Sequence, residues 1–361
     1  MVVPREFFIA SVLWSFIGVG AAPVVGATPD VETKHVNGFD LPQSPYLNPE
    51  SREALTEHHA LWAAAFDNPC GAVDGTTGHM AQVRNCQAAA FYKSEIYRQI
   101  RARYPVSIRS ESMGGIGVEV FTATRGVAPE NEKRVLINLH GGGFLEGART
   151  VSHLESIPIA AVSGLKVISV DYRQAPEAKF PAASEDVTAV YRALLASYAP
   201  DSIGIYGCSA GGLLAAETVA WLENQRLPLP GAIGMFCMGA TYTGKGDSAP
   251  IARAIEGAPA DEFAKYFAYF EGANPKDPLV YPAFSDEVLR NFPPSLLISA
   301  TRDHALSSVV YTHSRLSALG CETDLHVFEG LGHGFFYDPA LPESREVYGL
   351  VSRFFDRRLK R

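Results

Sequence analysis

The sequence predicts an α/β protein in which helices flank a mostly parallel central sheet. Short apolar runs typical of buried strands recur between about residues 106 and 329. Stretches of helical composition separate these runs, which is the order expected for a parallel α/β sheet. The chain has 361 residues and is 47% hydrophobic, which is ample for one large core.

The apolar runs set the order of the predicted strands. They are Arg134–Leu139, Lys166–Val170, Asp201–Gly207, Pro294–Ala300 and Glu322–Phe328. Leu213–Asn224 and residues 307–319 have the composition of helices. Open α/β sheets place their sites at the carboxyl ends of the strands, so the loops after these runs are where functional residues are expected.

The strongest local signal is a serine between a strand and a helix. Ser209 lies in the sequence GCSAGG, residues 207–212, which we call the elbow. The chain must pass through a sharp, strained turn there, and a side chain larger than that of glycine at Gly207 or Gly211 would collide with the neighbouring elements. The turn exposes the hydroxyl at a helix N-terminus, where the N–H of Ala210 can stabilise developing negative charge. The pattern predicts that Ser209 is a nucleophile.

A run of glycines follows the first of these strands. Residues 140–144, with the sequence HGGGF, form what we call the glycine loop. Consecutive glycines allow backbone conformations and close approach to a ligand that other residues forbid. We predict that the N–H groups of Gly142 and Gly143 join that of Ala210 in an oxyanion hole. His140 is expected to shape the loop through hydrogen bonds.

Two later loops supply an acid and a base. Asp303 follows the strand Pro294–Ala300, and His333 lies in a glycine-flanked loop after Glu322–Phe328. The order serine, aspartate, histidine is that of hydrolases with a nucleophile elbow. An imidazole with an ordinary pKa of roughly 6.5 can take a proton from a serine near neutral pH, and a carboxylate can orient it. Ser209, Asp303 and His333 are therefore the predicted catalytic triad.

These motifs together resemble the hormone-sensitive-lipase branch of the α/β-hydrolases. Further supporting segments are Asp171–Glu177 (DYRQAPE), Phe180–Ala183 (FPAA) and the acidic pair Glu185 and Asp186. The similarity spans about residues 105–358. It implies the α/β-hydrolase fold with a helical cap over the site, and it implies the same triad and oxyanion roles for the residues given above.

The sequence departs from that family in two places. The family's elbow often reads Gly-Asp-Ser, whereas Cys208 precedes the serine here, so a buried carboxylate is missing from the elbow. After the acid the family often has Pro-Leu, where this chain has His304 and Ala305. The hydrogen bonds behind the triad therefore cannot be transferred from the family. Members that became hormone receptors lost the histidine, so the presence of His333 favours an enzyme.

The expected function is that of a serine carboxylesterase acting on short- to medium-chain esters through an acyl-enzyme on Ser209. The same machinery would also serve a lactone, carbamate or amide hydrolase, and a non-catalytic ligand-binding module is a third hypothesis. Such acyl transfer needs no cofactor, and no cysteine or histidine spacing indicates a metal site. The expected partner is a small-molecule ester. A net charge of −8 disfavours nucleic acid, and a homodimer stays an open alternative.

The N-terminal residues suggest targeting. Residues 1–27 resemble a secretory signal peptide, with an apolar stretch after Arg5 and small residues before Ala27. Cleavage would make the protein secreted or periplasmic, without a membrane span; a membrane-anchored or cytoplasmic chain is the alternative. Residues 28–104 are expected to form an N-terminal cap segment, and residues 105–361 the catalytic domain. A second cap insertion is expected at about residues 242–292.

Four aromatic residues are candidates for the substrate pocket, and two cysteines are candidates for a disulfide. The substrate pocket is expected to use Phe144, Tyr242, Phe267 and Phe335. Cys70 and Cys86 flank a segment rich in glycine and threonine and are candidates for a disulfide in an oxidising compartment.

Overall fold

The structure, a computed structural model, describes residues 38, 40–55, 70, 77–242, 244, 246–256 and 268–361. The chain divides into two compact units, Met1–Leu41 and Pro42–Arg361. Of the first unit only Gly38, Asp40 and Leu41 are described, and all three are exposed. The predicted signal peptide, residues 1–27, and the pocket candidate Phe267 lie outside the described residues.

An eight-stranded sheet with the order β1-β2-β4-β3-β5-β6-β7-β8 forms the centre of this unit. The strands are β1 (Val106–Met113), β2 (Ile116–Ala123), β3 (Val135–Leu139), β4 (Lys166–Val170), β5 (Ile203–Cys208), β6 (Ala232–Phe236), β7 (Ser295–Ala300) and β8 (Thr323–Phe328). The hairpin of β1 and β2 is antiparallel and joins β4 antiparallel. All pairs from β4 through β3 to β8 are parallel. The carboxyl ends of those strands therefore lie along one edge of the sheet.

Helices cover both faces of the sheet. They are α1 (Thr77–Phe91), α2 (Glu95–Arg103), α3 (Val151–Ser163), α4 (Ala182–Leu194), α5 (Ala210–Asn224), α6 (Ser248–Glu256), α7 (Asp286–Leu289), α8 (Leu306–Ala318) and α9 (Pro342–Arg358). Side chains alternate between the two faces of a strand, so Ile137 lies in the core cluster that α4 and α5 cover. Leu136, the preceding residue, lies in the cluster that α3 and α9 cover. Burial on both faces explains why these strands are apolar throughout.

Local chemistry explains where the structure differs from the predicted elements. Helical composition continues from Gln87 to Tyr104, but the chain forms two helices there. The side chain of Ser94 accepts a hydrogen bond from the N–H of Tyr97, and this cap starts a new helix. Similarly, Asp201 and Ser202 belong to a 3-10 turn that follows a proline, so β5 begins only at Ile203.

The structure also describes the cysteines and the apolar character of the helices. Cys70 and Cys86 form a disulfide with 5.6 Å between their Cα atoms. Cys208 and Cys237 are buried free thiols. In the part of the chain that the structure describes, no helix combines the length and the apolar character needed to cross a bilayer.

Candidate active site

Ser209 occupies a strained position between β5 and α5. Its backbone has φ 57° and ψ −124°, a region that residues with a side chain rarely adopt. Its N–H donates to the carbonyl oxygen of Phe236 at 2.8 Å, which ties the turn to the end of β6. The side chain is half-buried. The structure thus holds the hydroxyl at the sheet edge, as the elbow pattern predicts.

The two glycines of the elbow are required by close backbone approach. A Cβ on Gly207 would lie 2.1 Å from the carbonyl oxygen of Leu139, and one on Gly211 would lie 1.7 Å from the same atom. Leu139 ends β3 and pairs with Gly207 in the parallel register. The elbow therefore packs directly on the strand that leads into the glycine loop.

The glycine loop turns back on itself directly after β3. Gly142 has φ +115°, and a Cβ there would lie 2.1 Å from the carbonyl oxygen of Glu146. The N–H groups of Leu145 and Glu146 both donate to the carbonyl oxygen of Gly142, at 3.0 and 3.1 Å. Since β3 and β5 are neighbours, this loop and the N-terminus of α5 lie on adjacent strand ends. Ala210 is the first residue of that helix, where backbone N–H groups lack intrahelical partners.

Asp303 and His333 form a direct hydrogen bond. Nδ1 of His333 lies 2.7 Å from Oδ1 of Asp303. The carboxylate also accepts hydrogen bonds from the Ser299 hydroxyl and the Ala305 N–H, each at 2.8 Å. Burial opposes ionisation of this carboxyl, but the charge and hydrogen bond of His333, with the charge of His304 and the Ala305 N–H, hold the pKa of Asp303 below its ordinary value. The acid is thus a buried, oriented carboxylate.

A second imidazole lies against the first. The ring centroids of His304 and His333 are 4.1 Å apart, with 30° between the ring planes. Burial, with repulsion from the charges of His333 and Arg253, lowers the pKa of His304 to about 3, although Asp303 opposes the shift. His304 is therefore neutral in the range where serine hydrolases work.

Cys237 approaches the acid and the base from β6. Its Sγ accepts a hydrogen bond from the N–H of Gly334 at 3.3 Å. Its sulfur, a carboxylate oxygen of Asp303 and a ring nitrogen of His333 lie within 4.8 Å of one another. These are donor types of zinc sites. However, Nδ1 of His333 and Oδ1 of Asp303 already bind each other, so the contact orients an imidazole instead of presenting both atoms to a metal.

The sheet places all the predicted groups on neighbouring strand ends. Ser209 follows β5 and is tied to β6 through Phe236. Cys237, the next residue, donates its N–H to Ile298 of β7 at 2.7 Å. Asp303 follows β7, and His333 follows β8. The structure joins Asp303 to His333 directly and places Ser209 on the adjoining part of the same edge.

Comparison with known proteins assigns this arrangement to a family. A family model described as the alpha/beta hydrolase fold matches residues 136–337, which is more than half of the chain. The chain belongs to the α/β-hydrolase fold family. An acetyl-hydrolase of Streptomyces hygroscopicus is 29% identical over 262 residues, which are 68% of this chain and 85% of that protein.

Solved structures of esterases are also similar to this α/β-hydrolase. A structure of an esterase E25 has a TM-score of 0.74 at 29% identity and covers 91% of this chain and 99% of its own. An esterase from the bacterial hormone-sensitive lipase family has a TM-score of 0.70 at 26% identity, with coverages of 87% and 99%. The predicted fold class and the resemblance to the hormone-sensitive-lipase branch are confirmed, and so is the prediction of a carboxylic ester hydrolase.

The pocket candidates of this α/β-hydrolase fall in different places. Tyr242 lines an open cleft of about 570 Å³. We call it the aromatic cleft; among its lining residues are Tyr242, Ala268, Phe270, Ala273, Val280 and Tyr281. Phe144 is buried beside it, stacked on Tyr269 at 4.5 Å and edge-on to Phe270 at 5.2 Å. Phe335 lies elsewhere, because a 3-10 turn directs it into the core against Phe328 and Phe336.

His140 has the loop-shaping contacts expected of it. Its Nδ1 lies 2.8 Å from the carbonyl oxygen of Gly141, and its ring stacks on Tyr172 at 4.3 Å. Burial lowers the pKa of His140 to about 4, although the hydrogen bond to Gly141 opposes the shift. A neutral, fully enclosed imidazole of this kind supports the loop and does not act as a base on substrate.

Sequence reasoning missed three polar residues at this edge: Ser299, Cys237 and Glu155. Each had a weak signal. Ser299 is a hydroxyl in β7, a fully buried strand whose only other polar side chain is Ser295, and Glu155 is an ionisable residue in the buried run Ser152–Ala160 of α3. A polar residue at such a position needs a partner, and that requirement is the signal that could have identified them.

Proposed function

We propose that this α/β-hydrolase is a serine carboxylesterase that hydrolyses short- to medium-chain esters through an acyl-enzyme on Ser209. The hydrogen bond between Asp303 and His333 is the observation that carries the proposal. It lies on the same sheet edge as the strained elbow. Because Nδ1 of His333 is engaged by the acid, Nε2 is the ring nitrogen that would accept the serine proton.

The reaction would run in two halves. The Oγ of Ser209 attacks the ester carbonyl while its proton passes to His333, and the carbonyl oxygen becomes an oxyanion held by the N–H groups of Gly142, Gly143 and Ala210. The tetrahedral intermediate then releases the alcohol, which takes the proton from His333. Water attacks the acyl-enzyme with His333 again as base, and collapse releases the carboxylic acid and returns the proton to Ser209.

Asp303 would act through electrostatics and orientation. Its lowered pKa keeps the carboxyl ionised, and a buried negative charge stabilises the imidazolium that forms on His333. The Ser299 hydroxyl and the Ala305 N–H hold the carboxylate in the orientation that His333 requires. In this chain these two contacts supply hydrogen bonds behind the triad acid.

Two observations support a small acyl group. The Streptomyces relative is named for hydrolysis of acetyl groups. In this chain Phe144 is the last residue of the glycine loop and packs edge-on against Phe270, which lines the aromatic cleft. A short to medium acyl chain that extends from the glycine loop would thus meet the apolar surface of the aromatic cleft.

The first experiment is the Ser209→Ala substitution. Turnover of p-nitrophenyl butyrate should fall by at least about a thousandfold, because neither a nucleophile nor an acyl-enzyme remains. A fluorophosphonate should label the native protein and not the variant. Ser112→Ala, at an exposed serine of β1, is the matched control and should keep full activity and labelling. Near-native turnover by Ser209→Ala would contradict the mechanism.

A second experiment separates the substrate classes. Rates on a p-nitrophenyl ester, a lactone, a carbamate and an anilide of equal acyl size should rank the ester first. A faster lactone or anilide would keep the triad and reassign the substrate.

A further inference from the structure

Glu155 is a buried carboxylate that the proposed mechanism does not use. It lies on α3, in a run of residues that are all buried, and only 3% of its surface is exposed. Burying an ionisable side chain costs free energy unless partners compensate. Its position therefore requires an explanation in terms of what it binds.

The contacts of Glu155 are all with hydrogen-bond donors. Oε1 accepts the N–H of Gly141 at 3.0 Å and the hydroxyl of Tyr337 at 2.8 Å. Oε2 accepts the side-chain amide of Asn138 at 2.7 Å. The backbone of Cys208 lies near this carboxylate and lowers its pKa. This set of donors matches the ionised form of Glu155, which is acceptor-only; burial raises the pKa of Glu155 to about 7, so that form predominates at pH 8.

The groups that Glu155 binds belong to the predicted catalytic loops. Gly141 immediately precedes the oxyanion glycines, and Cys208 immediately precedes Ser209. Tyr337 lies in the turn that follows His333. One carboxylate thus joins the glycine loop, the elbow and the loop that carries the base.

The loops are in close contact around this carboxylate. A Cβ on Gly141 would lie 2.9 Å from the hydroxyl of Tyr337 and 3.0 Å from the carbonyl oxygen of Cys208. A shift of one loop would therefore displace the others. Their relative placement depends on the group in the middle, which is the carboxylate of Glu155.

The surrounding titratable groups carry no charge near neutral pH. Burial is the largest cause of pKa values well above the ordinary ones for Tyr172, Tyr206, Tyr337 and Cys208. Neutral phenols and a neutral thiol cannot neutralise Glu155. The carboxylate is stabilised by donated hydrogen bonds, and it loses that stabilisation if any donor moves away.

We propose that Glu155 is a positioning residue of the esterase. Its carboxylate fixes the glycine loop, the elbow and the loop that carries His333 relative to one another. The inference rests on the proposed function of Ser209 and His333. It also accounts for the departure at the elbow. The acidic residue that often precedes the serine in the resembled family is Cys208 here, and Glu155 brings a carboxylate close to the backbone at that position.

The test replaces the carboxylate by an amide of the same shape. Glu155→Gln can no longer accept hydrogen bonds at both ends, so Gly141, Tyr337 or Asn138 loses its partner. At pH 8, where Glu155 is ionised, we expect kcat on p-nitrophenyl acetate to fall roughly 10- to 100-fold, the size of effect that misplacing reacting groups causes. KM should stay within about threefold, because no ester-binding group is removed. The rate of fluorophosphonate labelling should fall in parallel with kcat.

Glu217→Gln is the matched control. Glu217 is also fully buried, on α5, where its carboxylate lies 3.5 Å from the Ser184 hydroxyl. Burial raises the pKa of Glu217 well above its ordinary value, which favours the neutral carboxyl, a group close in shape and charge to an amide. This variant tests the effect of a buried amide as such, and its kcat and labelling rate should match the native protein.

The outcomes are distinct. Native kcat and labelling in folded Glu155→Gln would overturn the proposal, and so would a change confined to KM. If Glu155→Gln does not fold, Tyr337→Phe decides, because it removes a single donor; we expect a smaller loss of kcat at constant KM, and a native rate would overturn the proposal. Activity of Ser209→Ala reports on the triad instead, so the failure of the proposed function is recognised separately.

Discussion

The imidazole of His304 packs against the imidazole of His333, with 4.1 Å between the ring centroids. The two rings differ in role. His333 is bound to the acid through Nδ1, whereas His304 has its pKa lowered to about 3 by burial and by the charges of His333 and Arg253, against the opposing effect of Asp303. A neutral ring therefore lies beside the ring that would become positive in the proposed mechanism.

The first prediction concerns this ring contact. His304→Ala should lower kcat about tenfold, because His333 loses a flat surface that restricts its orientation. His304→Phe should keep most of the activity, because an aromatic ring is restored and the face of a neutral ring attracts a cation. Steady-state kinetics on p-nitrophenyl acetate measure both. Equal losses in the two variants would contradict a packing role and point to the nitrogen atoms of His304.

The contact between His304 and His333 also leads to a prediction for the pH dependence of kcat/KM on its acidic side. Since His304 is neutral above about pH 4, its titration should not shape kcat/KM between pH 5 and 8. The Phe variant should therefore keep the native profile in that range. A displaced acid limb in His304→Phe would show that the ring charges during the reaction.

Most of the parallel sheet could be predicted from the sequence, because strands buried on both faces are continuous apolar runs. Lys166–Val170 is β4 residue for residue, and the predicted runs at Pro294 and Glu322 begin one residue before β7 and β8. The hairpin of β1 and β2 was less distinct, since β1 is largely exposed along its length and its sequence is mostly polar.

The candidate site was predictable to the extent that it follows from chain order. Ser209 comes directly after β5, and Asp303 and His333 lie in the loops that follow β7 and β8, so the topology alone brings them to one edge. Glu155 was not predictable, because its partners lie 14, 17 and 182 residues away and only the packing of α3 on the sheet joins them.

The second prediction uses the opposite pKa shifts of two buried carboxyls. Burial raises the pKa of Glu155 from 4.5 to about 7, although its hydrogen bonds oppose the shift. A raised pKa in the folded state stabilises the fold below pH 4.5, and this contribution is lost as pH rises through 7. The unfolding free energy of the native protein should therefore fall by about 3 kcal/mol between pH 4.5 and pH 7 because of Glu155. In Glu155→Gln this fall should be absent. Urea unfolding at a series of pH values measures it.

Asp303→Asn is the comparison for that experiment. The pKa of Asp303 lies below its ordinary 3.8, so its contribution to stability is present above that pH and is lost as pH falls through the lower value. The Asn variant should thus differ from the native protein in the slope of unfolding free energy below about pH 4, where Glu155→Gln should keep the native slope. The reverse pattern in the two variants would contradict the assigned shifts.

The third prediction concerns the elbow. Gly211→Ala should lower the unfolding free energy by at least about 2 kcal/mol and abolish activity, because the added Cβ would lie 1.7 Å from the carbonyl oxygen of Leu139. Gly349→Ala is the control: the nearest atom to its Cβ is the flexible guanidinium of Arg353, at 3.0 Å, and alanine favours the helix α9. Thermal unfolding compares them. A stable, active Gly211→Ala variant would show that β3 and α5 are less closely packed than the structure has them.

The last prediction tests whether the aromatic cleft receives the acyl chain. Ala268 lines the cleft beside Phe270, so Ala268→Trp should fill much of its volume. We expect kcat/KM on p-nitrophenyl hexanoate to fall about tenfold or more, while the value for the acetate changes less than about threefold, because an acetyl group ends before the cleft. Ala102→Trp, at an exposed position of α2, controls for the added indole and should leave the ratio of the two substrates unchanged. Equal losses on acetate and hexanoate would place the acyl site elsewhere, and an unchanged hexanoate rate would assign the cleft no part in substrate binding.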